Sequence, residues 1–283
     1  MSAVSVLTIV KDRVGHLRQL IAGLSRSACA PAELVIVDMS TPPLDVPEAN
    51  FPITVIRLPD AGLPLAKARN LAARRASSDT LIFLDVDCIP ARDLLSRLGH
   101  AVDGNDALIC AEIRYLPARG AECVWTDAEM HDAGIAHPAR DFPEEGLRIE
   151  PNPGLFWSLA FGIRRAAFER LGGFDERFSG YGAEDTDFGF RAQAAELPLM
   201  FLGGPGAFHQ HHSVCDPPLQ HFDDIVRNAR VFHAIWRIWP MDGWLKRFSD
   251  LGLIALRPDR IEHLRPPTEF ELAAARRPAE VRF

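Results

Sequence analysis

A chain of 283 residues can bury a substantial core, as one large α/β domain or as one domain with extensions. Hydrophobic residues make up 47% and charged residues 24%, the balance of an ordinary globular protein, and a formal net charge of -7 argues against a general nucleic-acid binder. The five cysteines, Cys29, Cys88, Cys110, Cys123 and Cys215, form no Cys-x-x-Cys pair and point to free thiols in a reducing compartment. The apolar stretch within Met1 to Val10 lacks a basic lead and is too short for a signal peptide. No apolar run approaches the roughly 18 residues that cross a bilayer. A soluble, cytoplasmic protein is expected, with contact at a membrane surface left open.

In chain order, Val4 to Val10 reads as a buried strand, rich in Val and Ile and ending at Lys11-Asp12-Arg13. Leu17, Leu20, Ile21 and Leu24 follow at helical spacing. Leu34 to Val37 predicts a second strand ending at Asp38, and Ile53 to Leu58 a third. Leu63 to Arg75 predicts a helix, and Leu81-Ile82-Phe83-Leu84 a buried strand stopped by Asp85-Val86-Asp87 and Pro90. This alternation implies an α/β fold with a mostly parallel sheet flanked by helices. Ligands bind beyond the carboxyl ends of such strands, so Lys11-Asp12, Asp38 and Asp85-Asp87 should gather along one edge.

The second half is less regular. Ala107 to Tyr115 predicts a strand, Ala128 to Gly146 a long loop, and Leu159 to Ile163 an apolar run leading into a helix from Arg165 to Leu171. Asp185 to Glu196 predicts a helix, and Leu199 to Leu202 a last short strand before the turn Gly203-Gly204-Pro205-Gly206. Pro217 to Trp239 predicts a long amphipathic helix. Beyond about residue 256 a charged, Pro-containing peripheral tail is expected.

Three clusters carry chemistry. Asp85 and Asp87, two residues apart after a buried strand, can face the same side of the chain. A hard cation such as Mn²⁺ or Mg²⁺ would bridge such carboxylates to diphosphate oxygens. In Gly172 to Asp187, Gly180 and Gly182 flank Tyr181 and allow close approach of the backbone to a ligand. Glu184 and Asp185 then open a helix, where a carboxylate is favoured by the dipole and could serve as general base; for Asp185 or Asp187 singly, ordinary capping is the plainer reading. In His209-Gln210-His211-His212, imidazoles three apart can meet one transition metal.

Together these clusters resemble a family. Asp85-Val86-Asp87 looks like the DxD motif of family-2-type glycosyltransferases of the GT-A fold. Gly173-Phe174-Asp175-Glu176 and Gly180-Tyr181-Gly182-Ala183-Glu184-Asp185 resemble the C-terminal half shared by β-1,4-galactosyltransferases, polypeptide N-acetylgalactosaminyltransferases and chondroitin polymerases. The opening strand, Val37-Asp38 and Leu65 to Asn70 also match the pattern, and the resemblance spans roughly residues 4 to 215. It implies a GT-A domain whose nucleotide-binding half is 1–105 and whose smaller, mixed acceptor-binding and catalytic half is 106–215, followed by a helical extension and tail at 216–283.

By position, the resemblance implies that Thr8, Val10 and Asp38 line the base pocket, with Arg69 near the nucleotide and Asp85 near its ribose. Asp87 would bind Mn²⁺ or Mg²⁺, joined by His209 or His212. Asp185 would deprotonate the acceptor, Glu184 would hold sugar hydroxyls, and Trp157, Tyr181 and Gly182 would meet the acceptor. The activity implied is inverting transfer of a hexose or N-acetylhexosamine from a nucleotide-diphosphate sugar, most naturally a UDP-sugar. The acceptor would be a glycan, a lipid-linked molecule or a small molecule.

A nucleotidyltransferase acting on sugar phosphates and a non-catalytic nucleotide-sugar binding module are the rival readings. Val10 to Val14 lacks the Gly-rich phosphate loop of the first, and the second predicts a broken metal or base set. No Gly-x-Gly-x-x-Gly follows a strand, which disfavours a dinucleotide-binding dehydrogenase. In the C-terminal helix, Phe222, Val226, Val231, Ile235 and Trp236 suit packing on the core. The alternative is an interfacial patch of Trp236, Trp239 and Trp244 with Arg237, Lys246 and Arg247.

Overall fold

A computed structural model describes residues 2–60, 62–119 and 124–282; Met1 of the opening stretch and the Cys123 thiol lie outside the described residues. The first half follows the expected alternation. Strand β1 (Val4–Val10) is buried throughout, α1 (Val14–Ser25) buries Leu17, Leu20, Ile21 and Leu24, and β2 (Glu33–Asp38) and β3 (Ile53–Arg57) extend the sheet. Helix α2 (Leu65–Arg75) then leads to β4 (Thr80–Leu84), which ends where Asp85 begins. Strands β3, β2, β1 and β4 are parallel neighbours, so their carboxyl ends share one edge.

The second half is mixed in direction. After β5 (Cys88–Pro90) and α3 (Leu94–Gly104) comes β6 (Leu108–Tyr115). The segment expected to be a loop contains α4 (Asp127–Ala133), β7 (Ile135–Ala136) and, just after it, β8 (Leu147–Ile149). Its helix starts at a capping box in which Thr126 and Glu129 satisfy each other's backbone N–H groups. Strand β9 (Ala160–Arg164), α5 (Arg165–Arg170), α6 (Glu184–Ala194) and β10 (Leu199–His209) complete the sheet domain. The sheet order is β3-β2-β1-β4-β9-β6-β10-β5, with β9 antiparallel to both neighbours.

Two expectations need correction here. Strand β10 does not stop at Leu202: it runs on to His209 against β6, with register shifts between Leu202 and Pro205 and between Pro205 and Ala207. The glycines make bulges, not a turn. A Cβ at Gly203 would lie 2.0 Å from the Pro143 carbonyl oxygen, and one at Gly206 would lie 2.6 Å from Ala111 Cβ. Nor is the chain beyond residue 256 a loose tail. Helix α7 (Phe222–Trp236), shorter than the Pro217 to Trp239 span, packs with α8 (Asp242–Asp250), β11 (Ile254–Leu256), β12 (Ile261–His263) and α9 (Glu269–Ala275) around Phe222, Leu245, Phe248 and Ile254. The apolar residues of this core sit in short segments far apart in the chain and meet only on folding.

The sheet is covered on both faces. On one, α1 and α3 pack through Leu17, Leu20, Leu94 and Leu98. On the other, α2, α5 and α6 enclose an aromatic stack: Phe83 on Phe161 at 4.5 Å and Phe174 on Phe188 at 4.4 Å between ring centres. This stack seats α6 against the sheet directly behind Glu184 and Asp185. The indole N–H groups of Trp236 and Trp239 donate to Asp187 Oδ1 and to the Arg257 carbonyl, each at 2.9 Å. Among the described residues no helix is long and apolar enough to cross a membrane. Because Phe161 is fully buried within the stack, Phe161→Ala should cost about 3–5 kcal/mol of stability, read as a lowered midpoint in urea unfolding.

Candidate active site

Strand pairing assembles the first group of site residues. Strand β5 runs antiparallel to the end of β10, which sets His209 opposite Cys88 and lets Gln210 N donate to the Asp87 carbonyl at 2.6 Å. The Asp87 carboxylate thereby meets His209 Nε2 and His212 Nε2, each at 3.5 Å. One ligand atom from each of Asp87, His209 and His212 lies within 4.8 Å of the others, close enough to share one cation. Arg13, at the start of α1, reaches over to the same carboxylate.

The electrostatics suit a metal. Burial alone would raise the Asp87 carboxyl, but His209, Arg13 and His212 hold it below the ordinary carboxylate range. Burial lowers both imidazoles, His212 to about 4, with Arg13 adding to the effect. At neutral pH the group is therefore an ionised carboxylate with two neutral imidazoles, the protonation states that metal ligation needs. Nitrogen and oxygen donors of this kind suit Mn²⁺ and comparable transition metals better than Ca²⁺.

Helix α2 supplies the link to the second group. Arg69, 5% exposed, donates to Glu184 Oε1 at 2.8 Å and pairs with Asp85 Oδ1 at 3.4 Å. Burial, opposed by Arg69 and reinforced by Asp87, pushes the Asp85 carboxyl up to about 7. The neighbouring Asn70 donates to the Phe174 carbonyl and accepts from Phe174 N, both at 2.8 Å, so α2 holds the segment leading to α6. That segment is strained: Gly180, Gly182 and Ala183 have φ of +77°, +97° and +71°. The left-handed conformation costs Ala183, a non-glycine, about 1–2 kcal/mol. It turns the chain so that Glu184 and Asp185 open α6. Glu184 Oε2 is buried without a partner. Asp185 is raised to about 6, first by burial and then by the charge of Glu184.

The remaining expected residues fall at the same edge. Thr8 is buried with an unpartnered hydroxyl and lines a small cavity with Arg69 and Asp85. Val10 pairs with Asp38 across β1 and β2, but the Asp38 carboxylate is enclosed, accepting from Ser40 N and Leu44 N at 2.9 Å and from Arg57. Asp38 thus holds the loop that follows β2 at the sheet edge. Trp157 stands 4.9 Å edge-on from the His137 ring. Tyr181 stacks on His221 at 4.3 Å, and the charges of Glu184, Asp185, Asp85 and Asp87 all reach its hydroxyl.

Two residues were not anticipated. Arg13 follows the first strand as Asp38 and Asp85 follow theirs, so the edge rule would have found it. Arg140, 5% exposed, lies 5.1 Å from the Trp157 ring and 4.9 Å from that of Phe142. Nothing in its local sequence marks it.

Residues 5–172 match the model of glycosyl transferase family 2. The chain belongs to that family. Residues 152–213 also match the N-terminal domain of galactosyltransferase, the part that carries Trp157, Tyr181, Glu184, Asp185, His209 and His212. Validoxylamine A glucosyltransferase of Streptomyces hygroscopicus subsp. limoneus is 26% identical over 223 residues, covering 69% of this chain and 49% of that protein. Chondroitin synthase of Pasteurella multocida is 24% identical over 186 residues, 58% of this chain and 19% of the relative. A pre-mycofactocin glycosyltransferase of Mycobacterium tuberculosis is 27% identical over 216 residues, 74% and 43%. The chain thus spans half or less of the length of these relatives. Among solved structures, GalNAc-T7 with UDP, GalNAc and Mn²⁺ superposes with a TM-score of 0.55 at 16% identity, over 75% of this chain and 44% of that one. TarS of S. aureus gives 0.58 at 15%, over 88% and 43%. These likenesses show the GT-A fold.

If Asp87, His209 and His212 hold a cation, Asp87→Ala should weaken Mn²⁺ binding by about a hundredfold in titration calorimetry. His211→Ala, outside the group, should leave it within about threefold.

Proposed function

We propose that this chain is an inverting, metal-dependent glycosyltransferase that moves a hexose or N-acetylhexosamine from a UDP-sugar to an acceptor hydroxyl. One observation carries the reading: a neutral-imidazole and carboxylate triad and a carboxyl raised to about 6 sit at the same sheet edge, where Arg69 bridges Asp85, two residues before the triad's Asp87, and Glu184, next to Asp185. Membership of glycosyl transferase family 2 supports it, as do structural neighbours solved with UDP or UDP-GlcNAc.

Asp87, His209 and His212 would hold Mn²⁺ or Mg²⁺, whose bound charge offsets that developing on the UDP leaving group. Arg13, on the same carboxylate, is placed to donate to a phosphate oxygen. Thr8, Val10 and Asp38 would border the base, Arg69 would lie near the nucleotide, and Asp85 near the ribose. Asp185 would accept the acceptor's hydroxyl proton as the oxygen attacks C1 of the donor sugar from the face opposite UDP. The partnerless Glu184 Oε2 would accept from a sugar hydroxyl. Trp157, Tyr181 and Gly182 would flank the acceptor, which would be a glycan, a lipid-linked molecule or a small molecule. The 1–105 and 106–215 halves would supply donor and acceptor sides, and 216–283 their support.

The test is UDP release from UDP-glucose, UDP-galactose and their N-acetylated forms with Mn²⁺. Asp185→Asn should lower turnover by about a hundredfold or more while UDP–Mn²⁺ affinity stays within about threefold. Unchanged turnover in that variant would remove Asp185 as base. A base is competent only when ionised, so wild-type turnover should fall as pH drops through about 6, the value to which burial raises Asp185. A flat profile from pH 7.5 to 5 would contradict the assignment.

A further inference from the structure

Helix α7 lies beyond the residues matched by either family model. Asp224, Asn228, Phe232 and Trp236 recur on it at every fourth position and so form one stripe of its surface. That stripe faces the strained segment from Gly180 to Asp187 along its whole length. The Asp224 carboxylate accepts from Tyr181 N at 3.2 Å and fills the space where a Cβ on Gly180 would sit, 2.2 Å away. Asn228, fully buried, donates through Nδ2 to the carbonyls of Gly182 at 2.8 Å and Tyr181 at 3.3 Å. Phe232 packs with Phe178 and Ala183, and Trp236 Nε1 donates to Asp187 Oδ1 at 2.9 Å.

Three left-handed residues within four positions leave the Tyr181 and Gly182 carbonyls outside any helix or strand ladder. One side-chain amide satisfies both. At Ala183, a non-glycine, such a conformation persists only where its surroundings over-determine it. The surroundings here are α2 on one side, through Arg69 and Asn70, and the α7 stripe on the other.

We infer that Asp224 and Asn228 are positioning residues for transfer: they hold Gly180 to Ala183 in the left-handed turn that aims Glu184 and Asp185 at the acceptor. The C-terminal extension is on this view part of the catalytic apparatus, although it touches no reacting atom. The inference rests on the reading of Asp185 as base, and its test separates the two.

The test uses Asn228→Leu in the full chain, which keeps volume and removes the amide. Hydrogen exchange of the amides of residues 180–185 should quicken by about tenfold or more, while those of β1, β2 and β4 keep their protection. The kcat for UDP release from the best of the four UDP-sugars should fall by about a hundredfold, with donor KM within about threefold, because misplacement of the base does not touch donor binding. Unchanged exchange at 180–185, exchange that rises equally in β1, β2 and β4, or a quickened loop with unchanged kcat would each overturn the proposal. Should Asn228→Leu not fold, Asp224→Ala at a part-exposed position gives the same comparison. If the wild type releases UDP from none of the donors, the base assignment falls, and with it the catalytic part of this inference; the exchange data then decide whether α7 holds the turn.

Discussion

Much of this site depends on one buried guanidinium. Arg69 is joined to Glu184 and Asp85, residues that lie in different halves of the sheet domain and on different elements. Taking a cation and two carboxylates out of water is expensive, and the cost is offset only while all three keep their geometry. Removal of Arg69 would leave Glu184 without its partner and push the Asp85 carboxyl, already raised to about 7, further up. The pairing therefore couples assembly of the two halves to assembly of the site: neither carboxylate is comfortable until the other half is in place.

Around that contact the protein uses stiff supports. The Phe83, Phe161, Phe174 and Phe188 stack gives α6 a flat seat, Asn70 ties down the turn before it, and α7 closes the other side. A catalytic group on a left-handed turn would otherwise be free to wander. Here the strain in Gly180, Gly182 and Ala183 is matched by hydrogen bonds from elements far away in sequence. The acid near pH 6 and the metal-ligand triad can then differ in charge state while lying at one edge.

The sheet edge itself was legible in the sequence. Leu34 to Val37 and Leu81 to Leu84 are continuous apolar runs, Val4 to Val10 is broken only by Ser5 and Thr8, and a buried parallel strand needs little else to announce itself. The acids after those runs, and the imidazoles three apart, followed by simple geometry. What was hidden depends on distant partners. The bulged continuation of β10 looks like a turn because Gly203-Gly204-Pro205-Gly206 carries turn composition, and only β6 beside it shows otherwise. The partners of Asp38, Leu44 N and Arg57, approach it from a loop and from β3, and no local pattern shows them. The C-terminal core escaped because Leu253, Ile261 and Ala275 lie in short separate segments that meet only in three dimensions. Helix α4 was readable in principle from Thr126 and Glu129, three residues apart.

The two bulges in β10 make ligand geometry a question of odd and even. Side chains on a strand alternate between faces, so each extra residue reverses every orientation downstream of it. His209 lies after both shifts, at the point where β10 meets Cys88 and Asp87. Deleting one residue from Gly203-Gly204-Pro205-Gly206 would rotate His209 to the opposite face without altering any ligand in the sequence. A chain could thus keep Asp87, His209 and His212 and still fail to bring them together, and in related sequences the length of this short stretch is as telling as the identity of these residues.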